Sequence, residues 1–117
     1  MNAEQAAQFQ KLLEDACDRF LAKGGKIVAG VFTRNEDKQC PVTCLSDNPD
    51  ADREIGFVHG ALKKVQLAMN YDMPGDEMWA FIWGFDLSSF GLSSPYVGAY
   101  LVGRALRDKY LTPKVST

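Results

Sequence analysis

Residues 76–86 read Asp-Glu-Met-Trp-Ala-Phe-Ile-Trp-Gly-Phe-Asp, and two periodicities compete for them. Trp79, Phe81, Trp83 and Phe85 alternate as one face of a strand would, whereas Met78, Phe81, Ile82 and Phe85 recur as a helical stripe. The preceding Met73-Pro74-Gly75 break, Asp76 in a capping position and the acidic first turn favour the helix. A helix sends Phe81 and Phe85 inward and leaves Trp79 and Trp83 as an i, i+4 pair on its flank. A strand would instead add a third member to the sheet.

Upstream, Asn48, Pro49, Asp50 and Asp52 form a helix start, with Asn48 as cap and Pro49 at the first helical position. Ile55, Val58, Leu62, Val65 and Met69 then lay one apolar stripe down to about Asn70. Further back, Lys26–Thr33 (KIVAGVFT) is β-branched and nearly continuously apolar, and Gln39–Leu45 (QCPVTCL) is expected to return antiparallel after a polar turn. Pro41 lacks an N–H and so confines that second strand to an edge or a bulge. At the N-terminus Asn2 and Gln5 form a capping box, Phe9, Leu12, Leu13, Ala16 and Phe20 follow at helical spacing, and Gly24-Gly25 ends a helix over 3–22. Downstream, Ser93-Ser94-Pro95 starts a last helix with the stripe Ala99, Val102, Leu106 and Tyr110, which Thr112-Pro113 stops. The expected fold is a single α+β domain over 1–117: an N-terminal helix, a two-stranded antiparallel hairpin with 76–86 as an optional third strand, and two or three further helices packed on it.

The 117 residues suffice for one core, and 46% hydrophobic with 24% charged residues is ordinary globular composition. Net charge is −2. Residues 36–86 carry ten acidic against four basic groups, and Arg104, Arg107, Lys109 and Lys114 oppose only Asp108 near the end. That is no basic stripe, which argues against nucleic acid. The first residues lack the pattern of a secretory signal and no stretch is apolar enough for a membrane span, so the expectation is a cytoplasmic protein with reduced thiols and no membrane partner.

No motif assigns a chemistry. Cys17, Cys40, Cys44 and His59 match the count of a Cys3His zinc site, but on an extended strand Cys40 and Cys44 stand roughly 13 Å apart. Packed thiols and no cofactor are therefore the expectation. A Cys–His nucleophilic pair would need His59 within hydrogen-bond reach of one thiol, with no third residue marked out to orient it. The acidic run Asp47, Asp50, Asp52 and Glu54 lacks the glycine of a calcium loop. Gly56 and Gly60, and likewise Ala99 and Gly103, lie four apart on helices and point to close approach of a neighbouring helix or a second subunit. The leading expectation is a small non-catalytic interaction protein, homo-oligomeric or bound to a protein partner, using Trp79 and Trp83, Gly56 and Gly60, or the edge of the Gln39–Leu45 strand. The alternative is a small-molecule-binding protein or enzyme with an aromatic-lined pocket near His59, Phe85 and Asp86. A structural zinc site is the third.

Overall fold

A computed structural model of the chain describes residues 1–29, 37–46, 53–86 and 95–111, with side chains from 58 onward in the third segment. The described residues form five helices and one small sheet: α1 (Ala3–Ala22), β1 (Lys26–Ile27), β2 (Lys38–Gln39), α2 (Pro41–Ser46), α3 (Arg53–Met69), α4 (Gly75–Asp86) and α5 (Val97–Tyr110). The molecule is mostly helical, and no helix among the described residues is long and apolar enough to cross a membrane. The sites expected at Asn48, Pro49, Asp50, Asp52, Ser93, Ser94 and Pro113 lie outside the described residues, while Pro95 lies two residues before the start of α5, with Tyr96 between them.

The N-terminal helix has the expected bounds. Asn2 Oδ1 accepts from the Gln5 N–H at 2.8 Å, and the Asn2 N–H donates to Gln5 Oε1 at 2.9 Å, so the capping box is complete. Gly24 ends the helix at φ +91°, where a side chain would be strained. Phe9, Leu13 and Ala16 are buried, and Phe20 and Leu12 flank them.

The sheet departs from expectation. β1 pairs with β2 in parallel, Lys26 with Lys38 and Ile27 with Gln39, rather than as an antiparallel hairpin. Parallel pairing cannot be closed by the two-residue turn of an antiparallel hairpin, and residues 30–36 between the strands lie outside the described residues. The second strand is also cut short. Pro41 is the first residue of α2, a position where a missing N–H costs nothing, and the Cys44 N–H donates to the Cys40 carbonyl at 3.0 Å. All six residues of α2 are buried, so the edge expected along Gln39–Leu45 is a core helix.

Segment 76–86 is helical, beginning two residues earlier than its sequence cap implies. The Pro74 carbonyl accepts from Glu77 and Met78, at 3.1 and 3.3 Å, and Asp76 sits inside the first turn rather than capping it. The third helix stops sooner than the Pro-Gly break: Asn70 turns left-handed at φ 50°, a conformation that asparagine tolerates better than most residues.

The core is one cluster. Phe81 of α4 meets Phe9 of α1 edge-on, with ring centroids 5.5 Å apart at 77°, and lies 6.3 Å from Phe85 on its own helix. The α4–α5 contact is backbone on backbone. A Cβ on Gly84 would run into the Tyr100 carbonyl, and one on Gly103 into the Phe81 carbonyl and to 2.8 Å from the Phe85 nitrogen. Two helices can approach this closely only where glycine removes the side chain, which accounts for tolerating its helical cost of about 1 kcal/mol. Arg107 closes the crossing by donating to the Phe85 carbonyl at 2.7 Å.

Candidate functional site

The packing around α4 treats the two tryptophans on its flank differently. Trp79 is half-buried and packs against the core cluster, while Trp83 is 40% exposed. The rest of the described apolar set on α4, Met78, Ala80, Phe81, Ile82 and Phe85, is buried. On the crossing helix α5, Leu101 is 54% exposed.

The other expected residues scatter. Gly60 lies against α2, where an added Cβ would collide with the Ser46 hydroxyl and come within 3.2 Å of the Ser46 carbonyl, so its close approach is made within the chain. Gly56 lies on α3. His59 is exposed on α3, whereas Phe85 is 1% exposed in the core. Phe85 and Asp86 line a crevice with Cys40, Pro41, Val42, Phe81 and Ile82, but its roughly 160 Å³ of empty space leaves no room for a water molecule, and His59 does not line it.

Two of the three thiols, Cys17 and Cys44, meet, a contact that the extended reading of Gln39–Leu45 did not anticipate. The turn of α2 sets Cys44 against Cys17 of α1, whereas Cys40, just before the helix, turns its thiol to Thr43. The Cys17 thiol is wholly buried and is held far above the usual thiol range, first by its hydrogen bond with the Cys44 thiol and then by burial. Burial also pushes Cys40 up, offset in part by the 3.3 Å contact of its Sγ with the Thr43 hydroxyl. Cys44 is 7% exposed and forms part of the wall of a pocket of about 200 Å³, lined also by Arg19, Lys23, Gln39 and Thr43. His59 is exposed rather than buried with the thiols, and among the described residues no three His, Cys, Asp or Glu side chains are arranged to hold a metal ion.

One buried polar site had no sequence motif. Glu77, 1% exposed, accepts from the Met1 α-ammonium at 2.9 Å and from the Tyr71 hydroxyl at 2.5 Å. Each charge compensates the other's desolvation. Burial, and then the hydrogen bond to Glu77, hold Tyr71 above the ordinary tyrosine range. The available signal was a charged residue in a helix with scarcely any polar face: between Asp76 and Asp86, α4 offers only Glu77 as a charged side chain.

No protein-family model matches the chain, and no curated protein or solved structure is detectably similar to it, so its function has to be read from its own residues.

Proposed function

We propose that this chain is a non-catalytic interaction protein that pairs with a second copy of itself through the Trp83 face of α4. The supporting observation is the 40% exposure of Trp83 on a helix that buries Met78, Phe81, Ile82 and Phe85 and half-buries Trp79. Tryptophan is concentrated at the energetic centres of interfaces, because its broad rigid surface loses much water for little conformational entropy. Self-pairing is favoured over a foreign partner on two physical grounds. Two-fold dimers are the commonest closed assembly of soluble chains, and a net charge of −2 imposes little repulsion between copies. The pocket reading around His59 draws no comparable support, since Phe85 and Asp86 line a crevice without room for a ligand.

The test is native mass spectrometry with light scattering on wild type, Trp83→Ala and Trp79→Ala. Self-pairing predicts a wild-type dimer that Trp83→Ala converts to a folded monomer. Trp79→Ala, which opens a gap against the core, should lower the melting temperature instead. A wild type that stays monomeric at high concentration would refute pairing with itself, as would a Trp83→Ala dimer as tight as the native one.

A further inference from the structure

Cys17 and Cys44 are neighbours of unequal access: one is enclosed in the core, and the other borders a pocket open to small molecules. α1 and α2 bring the two thiols into hydrogen-bonding contact, and two basic side chains, Arg19 of α1 and Lys23 at its C-cap, line the same pocket as Cys44. Cys40 is occupied with Thr43 and does not line this pocket. We propose that Cys44 and Cys17 form a redox pair, with the pocket as a docking site for a low-molecular-weight disulfide bearing carboxylates.

Cys44 is the entry thiol because only it reaches the pocket. Its sulfur, losing its proton to solvent, attacks one sulfur of the small disulfide. That S–S bond breaks, one small thiolate leaves and takes up a proton, and Cys44 carries a mixed disulfide. Cys17, which keeps its proton until this point, then attacks the Cys44 sulfur. The mixed bond breaks, the second small thiol departs with the Cys17 proton, and a Cys17–Cys44 bond remains. Two thiols of the protein are oxidised by two electrons, and one small disulfide is reduced to two thiols. Arg19 and Lys23 would attract the carboxylates, so the first step should be faster for an anionic disulfide than for a cationic one, and less so at high salt.

Oxidised glutathione and cystamine serve as the anionic and cationic probes, acting on the reduced full-length chain. Peptide mapping without reductant should show a Cys17–Cys44 link and the loss of two hydrogens from the intact mass. In Cys17→Ala the reaction should halt at one glutathionyl group on Cys44. In that background Arg19→Ala with Lys23→Ala should slow glutathionylation on the order of threefold to tenfold at low salt and raise rather than lower the cystamine rate. If the wild type retains a free Cys44, accumulates a lasting mixed disulfide there, or forms its link through Cys40, the pair is not a redox couple. Equal slowing of both probes would overturn the role of the basic wall. The wild-type mapping decides the central claim even if a variant fails to fold.

Discussion

The α4–α5 crossing and the α1–α2 contact are built in opposite ways. At the first, two glycines bring backbone against backbone, and Arg107 ties the end of one helix to the flank of the other. At the second, small side chains meet side by side, and a pocket of about 200 Å³ lies beside Cys44. Tight backbone contact leaves no slack for an added atom, so it fixes α4 against α5. A contact made through thiols leaves groups that can react and a route to them. The same small domain thus keeps its most constrained packing and its most accessible buried chemistry on different helix pairs.

The comparison breaks most sharply at Glu77. Glu77→Gln leaves the Met1 ammonium without its counter-charge, and a loss of about 3 kcal/mol is expected because a buried ion is left uncompensated. Urea unfolding measures it, and a loss below about 1 kcal/mol would show that water reaches the pair. Gly103→Ala comes next, with an expected loss of about 2–3 kcal/mol from overpacking against the Phe81 carbonyl despite alanine's better helix propensity. A stability gain instead would mean that the crossing can open.

Tyr71→Phe should cost about 1.5 kcal/mol at neutral pH, the worth of a hydrogen bond to a charged acceptor. It also has a pH signature. The folded state raises the Tyr71 pKa, so its contribution is whole below the unfolded value of about 10 and is lost as pH climbs above that. Melting temperature should therefore fall less steeply above about pH 10 in Tyr71→Phe than in wild type, and identical slopes would remove Tyr71 from the alkaline transition. The smallest effect is expected on the looser side: Arg19→Ala with Lys23→Ala should change stability by less than about 0.5 kcal/mol, because both side chains are exposed. A larger loss would mean that the basic wall is structural.

Much of the fold was legible because it is local. The Asn2–Gln5 box and the Phe9–Ala16 stripe set α1, and the period of Met78, Phe81, Ile82 and Phe85 outweighed the alternation of its aromatics. The candidate site was only half legible. Helical spacing put Trp79 and Trp83 on one flank, but how far α4 buries each depends on neighbours that spacing does not specify.

What the sequence determined by itself was that α1, α3, α4 and α5 form and which faces they bury, since capping and periodicity act within a few residues. Tertiary structure alone decided the parallel pairing of Lys26–Ile27 with Lys38–Gln39, the helix at Pro41–Ser46, the meeting of Cys17 with Cys44, and the enclosure of Glu77 with the Met1 ammonium. Each of these joins groups distant along the chain or turns on burial. QCPVTCL suits an edge strand or a short helix almost equally, and the surrounding core, which covers every residue of α2, selects the helix.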